Sequence, residues 1–365
     1  MVRPHVGIGV LVGSTGGPAT YGTRLVAALA ALDELRITVV TDRVERFAGM
    51  PGVEEILDLP MRGGVDRLRW QYLALPRALR GIGCDLYHDT KNALPAGLPM
   101  PTVVTVHDLA YYRCPESFGL LSRTFLRRAT RRAVARSARV VVPSQATARD
   151  VEAIFSGAAD KTRVVHHGID PCPPQTEDVL AAVREKYHLD GPYVLHVGTI
   201  QARKNVDLLV QGVRRLRAEG LPHRCVLVGR SGWLAGPTLR EIRADDTAVW
   251  LGEVPAADLP ALYSQAEAFV SPSAYEGFGF TVADALAAGT PTVISGVSSL
   301  PEVCGSAAIQ IEDLSAAGVA RALEPVLRDA SLRGDLAQRG RARAAEFTWR
   351  RAGQQTLAVY REALG

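Results

Sequence analysis

Several things are missing from this chain of 365 residues, and each absence narrows its class. No apolar run reaches 18 residues, so no stretch reads as a membrane-crossing helix. Residues 6–12 are apolar but too short for a span, and Gly and Ser follow them. The five cysteines, Cys84, Cys114, Cys172, Cys225 and Cys304, are scattered, odd in number and without C-x-x-C spacing. That argues against a disulfide framework or a structural zinc site and reads as reduced thiols in a cytosolic protein. No two aspartates stand two residues apart, so the D-x-D arrangement that bridges a divalent metal is absent. There is no Walker lysine, no G-x-G-x-x-G, no nucleic-acid motif and no short repeat.

What remains is a globular composition, 47% hydrophobic and 22% charged, with room for two domains. The net charge of +4 is mildly basic and compatible with anionic ligands or a membrane surface. Short apolar runs alternate with helical stretches. The first set is 6–12, 37–41, 85–89, 102–108, 139–144 and 163–168; the second is 193–198, 225–229, 248–252, 268–273, 291–295 and 308–312. Such alternation predicts parallel α/β sheets, with ligand groups at the carboxyl ends of strands. His88, Asp89, His107, Asp108, Ser144, His166 and His167 sit at such ends. Pro171-Cys172-Pro173-Pro174 marks the linker between the two sets. The expected architecture is therefore two doubly wound domains facing each other across a cleft.

The stretch 268–304 carries the most information. A buried strand, the loop Glu276-Gly277-Phe278-Gly279, a helix over 281–288, Gly289 as its C-cap and a strand from Thr292 follow in order. A glycine-rich loop opening a helix presents backbone N–H groups and a positive helix end to an anion. Here Glu276 lies before the glycines and Asp284 one turn into the helix. Carboxylates beside a phosphate site suit hydroxyl groups, and an anion flanked by hydroxyls describes a sugar nucleotide. As a plain structural element, Glu276 would be a loop acid at a helix start and Asp284 a solvated helix acid.

Three other features admit a ligand role or a bland one. Arg203 and Lys204 follow the first strand of the second half, where they suit a diphosphate or form an exposed basic turn. The loop from Gly13 through Gly16 and Gly17, before a helix over 20–31, holds a ligand or is a tight turn. Arg123, Arg127, Arg128, Arg131, Arg132, Arg136 and Arg139 form a dense basic helix, either a solvated face or a surface for anionic lipid. The neighbouring aspartates Asp245 and Asp246 read as a surface pair.

Taken together, E-GFGFTVA-D, the AAGTP that follows and SLPEV further on resemble the signature of retaining glycosyltransferases of family 4, of the GT-B fold. The family pattern is E-x7-E; here Asp284 holds the second place. The resemblance implies two Rossmann-like domains, an acceptor domain over 1–172 and a nucleotide-sugar domain over 190–349, with a terminal helix over 350–365 crossing back to the first. It implies a donor such as GDP-mannose or a UDP-hexose, and no required cofactor or metal. Thr199, Arg203 and Lys204 fall on a segment, GT-x-x-x-RKN here, that resembles the one with which the family neutralises the leaving diphosphate; many members have Arg where this chain has Thr199. Glu276 would accept sugar hydroxyls, and the amides of Phe278, Gly279, Phe280 and Thr281 would hold phosphate and sugar. Asp284 would take the ribose hydroxyls. Gly16 and Gly17 would close over the diphosphate, Ala19 standing where a third glycine is frequent. His107, with Glu276, is the catalytic candidate, placed at the reacting sugar. Implied partners are a nucleotide sugar and a glycan, lipid-linked or small-molecule acceptor, with no nucleic acid. A cytoplasmic protein is expected, with peripheral contact at the inner membrane face through residues 123–139 as an option. A sugar-nucleotide epimerase and a non-catalytic binding subunit share the fold and stay open as rivals.

Overall fold

The computed structural model describes residues 3–11, 16–59, 73–232 and 235–365. The chain divides into two compact units. The first takes the chain up to Leu109, Leu121–Gly168 and Phe347–Gly365; the second takes Ala110–Leu120 and Ile169–Glu346.

The first unit holds a seven-stranded sheet of β1 (His5–Val10), β2 (Arg36–Thr41), β3 (Glu55–Asp58), β4 (Leu86–Asp89), β5 (Thr102–Thr105), β6 (Arg139–Val142) and β7 (Thr162–Val164). Its order is β3-β2-β1-β4-β5-β6-β7, every pair parallel. The inner strands are buried on both faces, which is why they read as unbroken apolar runs rather than alternating ones. β3, sequence EILD, is partly exposed and has no such run; sequence reading passed over it. The Gly17–Ala30 helix follows β1, starting three residues earlier than expected because Pro18 is accepted in a first helical turn. The last helix, Trp349–Leu364, packs on the Gly17–Ala30 helix and belongs to this unit. Its Tyr360 hydroxyl lies 2.7 Å from His88 Nδ1.

The second unit holds β8 (Tyr193–Val197), β9 (Arg224–Val228), β10 (Ala248–Gly252), β11 (Ala268–Ser271), β12 (Thr292–Ser295) and β13 (Ala308–Ile311), again all parallel, in the order β10-β9-β8-β11-β12-β13. Val194, Leu227, Val270 and Val293 from the strands pack with Leu209, Val213 and Leu216 of the Val206–Ala218 helix and with Val319 and Leu323 of the Ala316–Arg328 helix. Full burial of such side chains stabilises by about 2 kcal/mol each.

Both sheets reverse strand order once, between β1 and β4 in the first and between β8 and β11 in the second. In doubly wound sheets the carboxyl ends beside that reversal form the ligand crevice. In the second unit those ends lead into Thr199–Asn205 and Pro272–Gly279, the two segments singled out above.

Two expectations are corrected. Arg139 is not helical: the basic helix is Leu120–Arg136, and Arg139 opens β6, where its guanidinium pairs with Glu362 at 3.1 Å. The break falls at Ser137, whose hydroxyl turns back onto the Val134 carbonyl. Asp245 is buried rather than a surface residue, because its carboxylate caps the turn to Thr247 and meets Arg214; Asp246 is exposed.

Candidate active site

β8 and β11 are hydrogen-bonded neighbours, pairing Val194 with Ala268 and Leu195 with Phe269, so the segments that leave their carboxyl ends run side by side. The first forms a short 3-10 turn, Ala202–Lys204. Asn205 then takes a left-handed conformation (φ 50°) and starts the Val206–Ala218 helix. Four contacts tie this turn to the β11 loop. Ala274 N–H donates to the Arg203 carbonyl at 2.8 Å, and the Asn205 amide donates to the Pro272 carbonyl at 2.9 Å. Arg203 Nη1 donates to the Tyr275 carbonyl at 2.5 Å, and the Lys204 ammonium donates to Glu276 Oε1. Arg203 Nη1 also lies 3.4 Å from Glu276 Oε2, completing a triad of two cations on one carboxylate.

All three side chains are largely buried, at 14%, 11% and 10% exposure for Arg203, Lys204 and Glu276. Burial alone would push the Glu276 carboxyl up; Lys204, Arg203 and the hydrogen bonds from Lys204 and Ser273 outweigh it and hold it at about 2. The backbone of Glu276 is fixed too, its carbonyl accepting from the Ser298 and Ser299 hydroxyls and its N–H donating to Ser298 Oγ. Gly279 then turns left-handed (φ 90°) as the N-cap of the Phe280–Ala288 helix. A side chain there would be strained and would meet Leu300 Cδ2 at 2.7 Å. With no side chain at the cap, the helix start is left to its backbone amides and the positive end of its dipole.

Asp284, one turn along, has its carboxyl raised to about 7 by burial and by the charge of Asp170. Thr199 and Gln201 line a cavity of about 620 Å³ together with Arg230, Ser231 and Gly232 from the end of β9. Arg230 was missed on sequence; its signal was position, a cation at a strand end beside the order reversal. Among the described residues no group of three His, Cys, Asp or Glu gathers as a metal site.

In the first unit, Gly16 (φ 101°) is the N-cap of the Gly17–Ala30 helix and Gly17 its first residue. Gly13, Ser14 and Thr15 lie outside the described residues. His107 Nε2–H donates to the Thr90 carbonyl at 2.8 Å, and its Nδ1 faces His167 Nε2 at 3.3 Å. The carbonyl can only accept, so His107 carries its proton on Nε2 and receives the His167 N–H on Nδ1. Burial lowers His107 to about 4, so both rings are neutral near pH 7. Tyr21 packs edge-on against His107, ring centroids 4.9 Å apart. His88 differs in exposure: it is fully buried between Tyr360 and Thr105, one at each ring nitrogen, and burial takes it to about 3. It is a structural histidine. Asp89 likewise accepts from the Lys91 N–H and the Tyr87 hydroxyl.

The Leu120–Arg136 helix shows an outward stripe of Leu121, Phe125, Arg128, Arg132 and Arg136, spaced four, three, four and four. Leu121 is 87% exposed and Phe125 49%. Among the described residues no helix is long and apolar enough to cross a membrane.

Residues 15–172 match the profile of Glycosyltransferase Family 4, and residues 191–329 that of Glycosyl transferases group 1. The O-antigen chain mannosyltransferase B of Escherichia coli is 30% identical over 291 residues, covering 78% of this chain and 76% of that protein. The chain belongs to glycosyltransferase family 4. A D-inositol 3-phosphate glycosyltransferase of Salinispora arenicola is 32% identical over 254 residues, 63% of this glycosyltransferase and 56% of that protein. The Anabaena protein HepE, solved with UDP and glucose, superposes with a TM-score of 0.77 over 98% of this chain and 99% of its own, at 17% identity. That likeness gives the glycosyltransferase its fold, GT-B.

Proposed function

We propose that the glycosyltransferase transfers a hexose from a nucleotide diphosphate sugar to a hydroxyl acceptor with retention at the anomeric carbon and without a metal. The observation that carries the reading is Glu276 held as a buried carboxylate by Lys204 and Arg203 at the mouth of a helix start. The two cations, with Thr199 and the amides of Phe278, Gly279, Phe280 and Thr281, receive the diphosphate. Glu276 then accepts hydrogen bonds from the sugar, and Asp284 from the ribose. From the first unit the reading assigns Gly16 and Gly17 to the diphosphate and neutral His107 to the reacting sugar.

The bond from the anomeric carbon to the phosphate oxygen breaks, and the acceptor oxygen bonds to the same face. The acceptor's proton passes to the leaving phosphate. The charge that grows on the diphosphate is met by Arg203, Lys204 and the helix end, the type of stabilisation worth most in a water-poor site. Among donors, GDP-mannose and the UDP-hexoses are the class, mannose being favoured by the O-antigen mannosyltransferase relative. The same relative favours a glycan acceptor. The outward stripe, with arginines in line with Leu121 and Phe125, adds a second reading: contact with an anionic membrane surface that carries the acceptor.

A thermal-shift screen of UDP, GDP, ADP and dTDP sugars, followed by mass analysis of products with and without acceptors, tests the reading. Protection by one nucleotide class and transfer lost in Glu276→Ala are expected. Full transfer by Glu276→Ala removes the assigned role; a changed sugar with donor alone would mean an epimerase.

A further inference from the structure

His196 lies in β8, one residue from its carboxyl end, and is 1% exposed. Its Nδ1 is 2.9 Å from the Val270 carbonyl, which can only accept, so Nδ1 carries the proton. Burial, with the Lys204 charge adding to it, lowers the ring to about 4. At neutral pH Nε2 is therefore a bare lone pair. It is buried and has no hydrogen-bond partner. A buried acceptor without a donor is costly, and native structures keep few of them.

The surroundings of that lone pair are informative. A methyl group placed on Gly198 would lie 3.4 Å from His196 Nε2 and 3.9 Å from Lys204 Nζ. His196 Nε2 and the Lys204 ammonium thus border one small space, which Gly198 leaves without a side chain. A phosphate oxygen does not suit Nε2, since both would be acceptors. The nearby ammonium does suit it, for it carries three donors. As the protein stands, Lys204 gives a donor to Glu276.

We propose that His196 is a positioning residue whose Nε2 takes a hydrogen bond from the Lys204 ammonium when sugar hydroxyls engage Glu276, keeping Lys204 directed at the diphosphate. The inference rests on the donor-site reading above. A carboxylate that accepts from sugar hydroxyls has less to offer Lys204, and an ammonium tethered to Glu276 competes with the sugar for that carboxylate. A second acceptor near Lys204 eases the competition. The device matters for a nucleotide sugar and little for bare pyrophosphate, which leaves Glu276 unengaged.

Two substitutions separate this role from a structural one. His196→Asn keeps an amide N–H for the Val270 carbonyl and deletes the acceptor at Nε2. His196→Gln places an acceptor near Nε2 and gives up the Val270 bond. Binding is measured calorimetrically with pyrophosphate, UDP-glucose and GDP-mannose, and folding by thermal melts. With whichever nucleotide sugar wild type binds, His196→Asn is expected to weaken binding about tenfold, the scale of one hydrogen bond to a charged group. Its pyrophosphate affinity and melting temperature stay near wild type. His196→Gln is expected to keep nucleotide-sugar affinity and melt lower. Wild-type affinity in His196→Asn, or equal losses for pyrophosphate and nucleotide sugar, overturns the inference while leaving the donor site intact. Wild-type protein that binds neither nucleotide sugar overturns the donor-site reading, and this inference with it.

Discussion

The Lys204 ammonium donates to the Glu276 carboxylate across 72 residues of chain, and both side chains are about one-tenth exposed. A buried pair of this kind is better judged by what its halves do alone. Removing one partner strands a buried charge and costs about 3–5 kcal/mol, whereas replacing both with neutral groups of like size costs far less. Lys204→Met and Glu276→Gln should therefore each lower stability by about 3 kcal/mol. The double variant should lose no more than either single one, a coupling of about 3 kcal/mol in a denaturant cycle. Arg203, 3.4 Å from the same carboxylate, moderates the Lys204 loss and worsens the Glu276 one. Additive losses would mean the pair is not a unit.

The same carboxylate sets an acid limit. Its pKa is depressed from 4.5 to about 2, so the folded state binds this proton more weakly than the unfolded chain does. The stability that results is fully present above pH 4.5 and is lost as pH falls toward 2. Glu276→Gln should flatten the stability profile in that window, measured by denaturant midpoints at each pH.

Asp284 works in the opposite sense. Its carboxyl is raised from 3.8 to about 7, chiefly by burial and next by Asp170. The folded state therefore holds this proton more tightly than the unfolded chain, and the contribution to stability falls as pH rises from 3.8 to 7. Function runs the other way, since an ionised carboxylate is the stronger acceptor for ribose hydroxyls. Nucleotide affinity should rise as pH passes through about 7, with a slope of at most about tenfold per unit. Asp170→Asn should move that rise to lower pH, and Asp284→Asn should abolish it. A flat profile in the wild type would detach Asp284 from the nucleoside.

How much of this was legible in the sequence depends on how local each signal is. The inner strands were found within a few residues because a parallel strand buried on both faces is a continuous apolar run; β3, with EILD half exposed, offered no run to find. Glu276, Asp284, Arg203 and Lys204 were legible because each sits at a fixed offset from a glycine or strand end. The ion pair between Lys204 and Glu276 was not, because it depends on β8 and β11 being neighbours while two strands intervene in the chain. The split between His88 and His107 was hidden for the same reason: His88 is satisfied by Tyr360, 272 residues away. His196 inside YVLHV reads as a core residue, and only its bare Nε2 says otherwise.

The exposed stripe makes a prediction about surfaces. Leu121 and Phe125 would enter the headgroup boundary, with Arg128 and Arg132 at the phosphate level. Each arginine near an anionic surface is worth about 1 kcal/mol, so Arg128→Glu with Arg132→Glu should weaken partitioning at least roughly thirtyfold. Flotation with phosphatidylglycerol vesicles should carry the wild type and lose it in high salt. Leu121→Ser with Phe125→Ser should leave a weaker, more salt-sensitive residue of binding. Equal flotation with phosphatidylcholine alone would remove the electrostatic part of the reading, and no flotation with either lipid would return the stripe to a solvated face.

The two histidines at the strand ends of the first unit should separate cleanly under substitution. His88 bridges Tyr360 and Thr105 in full burial, so His88→Ala strands the Tyr360 hydroxyl, leaves the Thr105 hydroxyl with Tyr21 alone and opens a cavity. Stability should fall by about 3 kcal/mol, from the unmet polar groups and the lost packing together. Transfer per folded molecule should hold near wild type, because the fully buried His88 presents no surface to a substrate. His107 is half-buried and fixed by Thr90 as the Nε2–H tautomer. His107→Ala should cost less stability but lower kcat by a factor of about 100, the lower range for loss of a positioned catalytic group. Nucleotide affinity should be unchanged, since the groups assigned to the nucleoside and the two cations lie in the second unit. Melting curves, calorimetry with the bare nucleotide and single-turnover transfer, run on both variants, read these three quantities apart. If His88→Ala lost turnover while staying folded, or His107→Ala kept it, the assignments would have to be exchanged.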